Sequence, residues 1–261
     1  MDFTKIDNLN KKLKATNSLN KTEIVRLREE FMIENTYDSI AIGGNTLTLR
    51  ETALVIKGGI TIAEKSVKEH LEAIGHKDAL EYVTALANKN TELTTRIIKE
   101  IHSYVLMSDA AIKGAYRRIP VSITGASHTP PQPYLVPVQM EALIGEFVGM
   151  KQNMHIIEAL AEFHLRFEGI HPFLDGNGRV GRLIINMELI KAGLLPVNIK
   201  FKDRIKYYNC FDNNYYINGK TSDALAELIA ECETEELLKY LEILEQKANL
   251  EGAYYEASVS S

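Results

Sequence analysis

The feature that most constrains this chain is the stretch HPFLDGNGRVGR, which runs from His171 to Arg182. It combines a histidine, a carboxylate, a Gly-Asn-Gly turn and two arginines, and apolar-periodic segments lie on both sides of it. A glycine-rich turn that leads into a helix N-terminus leaves backbone N–H groups free, and these carry partial positive charge. The pattern therefore predicts an anion site at the junction of two helices.

The side chains of this stretch suggest how the anion would be handled. Arg179 and Arg182 are three residues apart, so they share one helix face and can both reach phosphate oxygens. Asp175 is placed to hold Mg²⁺ against those phosphates. His171 can take a proton from an attacking hydroxyl at neutral pH. Together they predict a nucleotide-handling site in which a hydroxyl attacks a phosphate.

Two other motifs can be compared with the same residues. A calcium loop counted from Asp175 fails, because Arg179 falls at an oxygen-ligand position and Val180 at the required glycine. A Walker-type phosphate loop fails as well, since no Gly-Lys-Ser/Thr follows the glycines. A purely structural turn, with the arginines on a solvated face, stays open on the residues alone.

Composition excludes several classes of partner. The net charge of -5 argues against a general binder of nucleic acid or of membrane surfaces. Cys210 and Cys232 are isolated thiols that fit a reducing compartment. The first residues lack the apolar core of a signal peptide, and we find no apolar run of about 18 residues that could span a membrane. We therefore predict a cytoplasmic location, with no nucleic-acid partner and no membrane partner.

Strand signals are few, so the sequence predicts a mainly α fold. Thr48 with Glu51 and Thr61 with Glu64 have the spacing of capping boxes, which predicts helix starts at both places. The pair Gly43-Gly44 predicts the end of an earlier helix, because each glycine costs a helix about 1 kcal/mol relative to alanine.

The stretch 115–140 differs from the rest of the chain, since it holds five of the seven prolines. Val121 and Ile123 alternate with polar residues, which predicts a short strand. The residues Gly125-Ala126-Ser127 would turn it. A short β-hairpin among helices is typical of a lid or a binding flap, although a structural loop stays open here.

The stretch from His171 to Arg182 resembles the signature of the Fic family, His-x-Phe-x-Asp/Glu-Gly-Asn-Gly-Arg-x-x-Arg, at every specified position. Residues 116–140 resemble the target-docking flap of that family, and residues 203–208 resemble its adenine-pocket segment. The resemblance implies the helical Fic (Fido) fold with a short β-hairpin flap. It divides the chain into an N-terminal helical region (1–60), a Fic core (61–248) and a C-terminal tail (249–261).

The resemblance implies transfer of AMP from Mg-ATP to a Ser, Thr or Tyr hydroxyl of a target protein, with release of pyrophosphate. The target would dock at the flap 115–131, self-modification is expected, and a homodimer is a candidate assembly. Each role below is carried over by position. His171 is the implied general base, Asp175 is the implied Mg²⁺ ligand, and Phe173 is an apolar anchor. The remaining nucleotide-binding residues are implied to be Gly176, Asn177, Gly178, Arg179, Arg182, Ile123, Thr124, Gly125, Ala126 and Tyr208.

The chain departs from the family upstream of this site. Residues 39–44 resemble the family's inhibitory helix, Ser/Thr-x-x-x-Glu-Gly/Asn, with Ser39 retained and Gly43 in place of the glutamate. That glutamate pairs with the arginine matching Arg182, so Arg182 is expected to be free and the enzyme de-repressed. The alternatives are a Fic-fold enzyme that uses another nucleotide or removes AMP, and a non-catalytic nucleotide-binding regulator.

Overall fold

The computed structural model describes residues 1–16, 20–123, 128–212 and 222–259. These ranges contain ten α-helices and two short 3-10 turns, at Pro133–Leu135 and Phe201–Asp203. The helices are α1 (Thr4–Ala15), α2 (Lys21–Ile42), α3 (Leu49–Gly58), α4 (Val67–Asn88), α5 (Thr95–Val105), α6 (Val136–Asn153), α7 (Ile156–Ile170), α8 (Asn177–Lys191), α9 (Arg204–Asp212) and α10 (Asp223–Val259). The predicted mainly α class is confirmed.

Side-chain caps define the starts of several helices. The Thr48 hydroxyl accepts from the Glu51 N–H while the Glu51 carboxylate accepts from the Thr48 N–H, so the predicted capping box of α3 is confirmed. The helix start predicted at Thr61 is wrong, because α4 begins behind Ser66, which forms its own capping box with Glu69. Glu64 was expected at the third helical position, N3, of that capping box. Its φ is 65°, which is incompatible with an α-helix.

Helix α2 carries the segment that resembles the inhibitory helix. It ends at Ile42, and Gly44 follows with a φ of 96°, so the predicted stop at the two glycines is confirmed. The Asp38 carboxylate fixes this end of α2, because it accepts from the Phe201 N–H at 2.8 Å and from Asn198 Nδ2 at 2.6 Å. The last turns of α2 are therefore anchored to the chain that follows α8.

The core is built around α7 and α8. Nearly the whole of α8 is buried, and it packs against α4, α5 and α7, with α2 along one side. The continuous apolar cluster extends from Phe3 to Leu237, and α1 lies against α10. Its largest fully buried side chains include Phe147, Phe163, Phe167 and Phe173. The division of the chain into three regions stays a prediction.

The predicted β-hairpin flap is not borne out within the described residues. Residues 118–123 and 128–132 form neither helix nor strand, and Gly125, Ala126 and Ser127 lie outside the described ranges. Val121 and Ile123 have the alternation of a strand, but a strand also needs a neighbouring chain to pair with. Instead, Arg117 closes the segment by donating to the Ile119 and Pro131 carbonyl oxygens.

No helix in the described part of the chain is both long enough and apolar enough to cross a membrane. The thiols of Cys210 and Cys232 are free. The cytoplasmic location stays a prediction.

Candidate active site

The loop between α7 and α8 brings the signature residues together. His171 ends α7 in the left-handed conformation (φ 48°), and its N–H donates to the Phe167 carbonyl at 2.9 Å. Phe173 is fully buried, as predicted, and its ring stacks on His102 at 3.8 Å. The Asn177 side chain closes the loop, because it both donates to and accepts from the Phe173 backbone at 2.9 Å. His171, the predicted base, and the glycine turn are therefore held at one hydrogen-bonded junction.

Helix α8 starts without a side-chain cap. Its N-cap is Gly176, whereas α2, α3, α4, α5 and α7 are each capped by a side chain. Gly176 is required here, since its φ is 82° and a Cβ would stand 2.4 Å from Leu106 Cδ2. The N–H groups of the first turn, at Asn177, Gly178 and Arg179, lack intrahelical acceptors and carry the positive end of the helix dipole. The Asn177 side chain is occupied within the loop, so its contribution to an anion site is its backbone N–H.

Asp175 and Arg179 form an ion pair at the start of α8. Asp175 Oδ1 accepts from Arg179 Nη2 at 2.9 Å and from the Gly176 N–H at 2.5 Å. Burial alone would raise the pKa of the Asp175 carboxyl, but the Arg179 guanidinium and the Gly176 N–H more than offset it and hold that pKa below its usual range. Arg179 also lies 3.3 Å from Glu72 Oε1 on α4. The arginine is thus held between two carboxylates.

The geometry of Asp175 suits a hard cation. Its side chain is about half exposed (48%), and within the described residues only Oδ1 is engaged. One carboxylate oxygen, completed by phosphate oxygens and water, is the usual protein contribution to Mg²⁺ binding at a nucleotide. The described residues contain no group of three or more His, Cys, Asp or Glu side chains placed to hold a metal. Asp175 therefore fits Mg²⁺ that arrives with a nucleotide.

Arg182 is not free, and the expectation drawn from Gly43 is wrong in this respect. Its Nε donates to the Ser39 hydroxyl at 3.1 Å, and its Nη2 donates to the Ser39 carbonyl at 2.9 Å. Its Nη1 donates to the Tyr207 hydroxyl at 3.2 Å. The physical reason is that the Ser39 backbone carbonyl and hydroxyl, both on α2, accept hydrogen bonds without any help from a carboxylate at position 43.

Gly43 lies closer to Arg179 than the family resemblance implies. A Cβ built on it would stand 3.6 Å from Arg179 Nε, with the Ile40 carbonyl at 3.2 Å as its other neighbour. The φ of Gly43 is -76°, a value open to any residue. A longer side chain at this position is thus directed toward the arginines of α8.

A carboxylate that no sequence motif singles out lies behind His171. Glu168 Oε2 is 3.3 Å from His171 Nδ1, and both side chains are mostly buried. Burial alone would raise the pKa of Glu168, but His171, His164 and Arg182 outweigh it and hold that pKa below its usual range. The separation of three residues was a usable signal only as proximity in sequence, since His171 is left-handed and lies just beyond the last helical residue of α7.

His102 supports the loop from α5 and was also missed. Its Nδ1 accepts from the Gly114 N–H at 2.8 Å, so its Nε2 carries the proton and donates to the Asp175 carbonyl at 3.1 Å. Burial lowers the pKa of His102 to about 4, which keeps the ring neutral at physiological pH. No local motif marks this histidine, since its partners lie far away in sequence.

The flanks of the predicted flap are tied to the same loop. Arg117 Nε donates to the His171 carbonyl at 2.8 Å, and the Arg117 N–H donates to the Pro172 carbonyl at 2.9 Å. His128 Nε2 lies 2.7 Å from the Gly169 carbonyl oxygen. Ile123 is half-buried on one flank. Three other residues predicted to bind nucleotide lie outside the described residues: Thr124, Gly125 and Ala126.

Tyr207 and Tyr208 have different surroundings. Tyr207 is buried, and its hydroxyl lies between Arg182 and His164 Nε2, 2.7 Å from the latter. Tyr208 is 41% exposed and donates to the Ile42 carbonyl at 2.7 Å. The predicted nucleotide contact, Tyr208, thus lies at the C-terminal end of α2, beside Gly43.

This fold and this loop have close counterparts among known proteins. A profile of the Fic/DOC family matches residues 92–189. The protein adenylyltransferase Fic of Culex quinquefasciatus is 34% identical over 247 residues, which cover 92% of this chain and 48% of the relative. The chain therefore spans about half the length of the curated relatives it matches.

Solved structures agree with that assignment. A Fic-domain-containing signaling protein from Bacteroides thetaiotaomicron superposes with a TM-score of 0.85 at 27% identity, over 93% of this chain and 97% of that one. Fic-1 from C. elegans, in a form with a glutamate-to-glycine substitution, gives a TM-score of 0.79 at 27% identity, over 92% and 70%. The chain belongs to the Fic/DOC family, and its relatives over most of its length are protein adenylyltransferases.

Proposed function

We propose that this chain is a protein adenylyltransferase, which transfers AMP from Mg-ATP to a Ser, Thr or Tyr hydroxyl of a target protein and releases pyrophosphate. The observation that carries the proposal is the uncapped start of α8 at Gly176, five residues after His171 in the same short loop. An anion site next to a base is what attack of a hydroxyl on a phosphate requires. The names of relatives that match most of the chain support the same reaction.

In the proposed reaction, His171 Nε2 accepts the proton of the target hydroxyl. The hydroxyl oxygen then forms a bond to the α-phosphorus, and the bond from that phosphorus to the bridging oxygen breaks. Pyrophosphate leaves with the electron pair. Arg179, Arg182 and the N–H groups of the first turn of α8 hold the phosphate oxygens and stabilise the charge that develops on them.

Asp175 would hold Mg²⁺ against the phosphates, and the ion would neutralise charge on them. The acceptor segment of the target would dock along the flanks of residues 115–131, which are fixed to the His171 loop by Arg117. An extended segment there would find backbone groups that the described flanks leave outside any sheet. Self-modification and homodimer formation stay predictions.

The direct test is transfer of label from ATP labelled on the α-phosphate, with lysate proteins and the chain itself as acceptors. Wild type is expected to transfer label in the presence of Mg²⁺, and His171→Ala is expected to abolish transfer. His155→Asn is the matched control: His155 caps α7 through the Ile157 N–H, and asparagine is itself a good cap.

Absence of transfer from ATP, with label transferred from another nucleotide, would move the chain to the alternative Fic chemistry. Tight ATP binding with no transfer to any acceptor would favour the non-catalytic regulator. Release of AMP from previously modified proteins would favour the removal reaction. Any of these three outcomes contradicts the proposal.

A further inference from the structure

A buried, ionised carboxylate lies behind His171. Glu168 lies on α7 one turn before the histidine, on a helix most of whose side chains are buried. Its Oε1 is buried and, within the described residues, has no hydrogen-bond partner. A carboxylate in such a place costs stability relative to a neutral side chain of the same size. Local rules of this kind are broken mostly where function requires it.

The contact that Glu168 does make is with the proposed base. Its Oε2 faces His171 Nδ1 at 3.3 Å, an ion-pair contact whose geometry falls short of a hydrogen bond, as is common for catalytic pairs before substrate binds. An acceptor at Nδ1 favours the tautomer with a proton on that nitrogen, which leaves the lone pair on Nε2. His102 has the opposite arrangement, because the Gly114 N–H donates to its Nδ1.

The backbone of His171 is fixed from both sides, so little freedom is left except rotation of the ring. The His171 N–H donates to Phe167, and the His171 carbonyl accepts from Arg117. A carboxylate at Nδ1 restricts rotation of the ring and leaves Nε2 as the nitrogen that faces the substrate. It also places a negative charge next to the imidazolium that forms when Nε2 takes a proton.

We propose that Glu168 is a positioning residue for His171: its carboxylate orients the ring, holds the proton on Nδ1 and stabilises the imidazolium formed during AMP transfer. The kinetic part rests on the proposed function, whereas the tautomer part does not. The proton of the target hydroxyl moves to Nε2, the Nδ1 proton stays in place, and Glu168 itself remains ionised throughout.

The kinetic test uses Glu168→Gln, which keeps the size of the side chain but removes its charge and can present either N–H or C=O to Nδ1. We expect kcat for AMP transfer to fall at least about tenfold, with KM for ATP unchanged within about twofold. Glu158→Gln is the control on the same helix, where the carboxylate instead binds the amino group of Met1. A kcat within twofold of wild type would overturn the proposal.

Stability separates positioning from a structural role. Because Oε1 has no partner, Glu168→Gln is expected to melt no lower than wild type, and a large loss of Tm that parallels the loss of kcat would overturn the proposal. Glu168→Asp is the second variant. It keeps a carboxylate set back by one methylene, and its kcat is expected to lie between those of wild type and Glu168→Gln.

A spectroscopic test does not depend on the reaction. Histidine labelled with ¹⁵N reports which ring nitrogen carries the proton. Wild-type His171 is expected to show the Nδ1–H form, and Glu168→Gln is expected to lose that preference. An unchanged tautomer would overturn the positioning role. If wild type transfers no AMP but the tautomer shifts as expected, the proposed function fails while the role of Glu168 in orienting the ring stands.

Discussion

Arg182 donates two hydrogen bonds to one residue, Ser39, from Nε to the hydroxyl and from Nη2 to the backbone carbonyl. The two residues are 143 positions apart in sequence, and the contact joins α8 to the last turns of α2. Asp38 anchors the same turns of α2 to Phe201 and Asn198. The Ser39 acceptors are therefore held in place. Helix α2 thus engages a proposed phosphate ligand although Gly43 carries no side chain.

Ser39→Ala is expected to tighten ATP binding. The variant removes the hydroxyl that competes with phosphate for Arg182, and a net hydrogen bond of about 0.5–1.5 kcal/mol corresponds to a decrease in Kd of about two- to tenfold. Calorimetric titration with ATP measures the effect. Thr234→Ala, which removes a helical hydroxyl bonded to the Ala230 carbonyl, is the control and is expected to leave Kd unchanged. An unaltered or weaker affinity in Ser39→Ala would show that this contact does not restrain the site.

Gly43→Glu is expected to suppress AMP transfer at least about tenfold. The backbone there accepts any residue, and the new carboxylate would reach the arginines of α8, whose charge the phosphates need. Transfer of the α-phosphate label measures it. Gly43→Gln has the same length without the charge and is expected to retain most activity. If both variants match wild type, the resemblance of α2 to an inhibitory helix has no functional meaning in this chain.

Tyr207→Phe is expected to destabilise the fold by about 1–3 kcal/mol. The lost hydroxyl leaves Arg182 Nη1 and His164 Nε2 each without the buried partner that they share. Chemical denaturation or the shift in Tm reports the change. Tyr208→Phe is the matched control: that tyrosine is half exposed and makes one bond to the Ile42 carbonyl, so its loss is expected to cost less. Equal losses of stability in the two variants would mean that the buried Tyr207 hydroxyl contributes no more to folding than the half-exposed Tyr208 hydroxyl.

Glu233 is expected to make stability depend on pH. It is fully buried on α10, where its Oε1 accepts from the Leu195 N–H at 3.0 Å. Burial raises the pKa of Glu233 from 4.5 to about 8. Below pH 4.5 the Glu233 carboxyl is protonated in both the folded and the unfolded chain, and its contribution to the stability of the fold is fully present. Between about 4.5 and 8 only the unfolded chain releases the proton, so that stability is lost as pH rises.

The measurement is the free energy of unfolding of wild type relative to Glu233→Gln, by urea titration across that window. As pH rises through that window, the stability of wild type relative to Glu233→Gln is expected to fall by up to about 1.4 kcal/mol per pH unit. Glu227→Gln, at an exposed position on the same helix, is expected to follow wild type. A flat difference between wild type and Glu233→Gln would show that this carboxyl ionises inside the fold without penalty.

Local patterns predicted what local physics controls. The capping box of Thr48 and the stop at Gly43-Gly44 depend only on nearby backbone groups, and both are confirmed. The loop from His171 to Asn177 is likewise closed mainly by its own side chains, so its motif could be read directly. Ser66 shows the limit of this approach, because its own spacing to Glu69 also fits a capping box, and the helix begins there and not at Thr61.

Partners that are distant in sequence could not be predicted. No pattern links Arg182 to Ser39, or His102 to Asp175, since each contact exists only after the helices pack. The strand expected at Val121 failed for the same reason, because its alternation says nothing about what would pair with it. Glu168 is different, since it precedes His171 by only three residues, and a search for carboxylates close in sequence to the proposed base would have found it.

Arg117 has a consequence for how such a protein can change its targets. One guanidinium donates to the carbonyl oxygens of Ile119, Pro131 and His171. The segment between Ile119 and Pro131 therefore begins and ends at carbonyl groups that are bonded to the same side chain, Arg117. If targets dock there as proposed, the length and sequence of this segment can vary to suit other acceptor proteins while the His171 carbonyl stays held by Arg117.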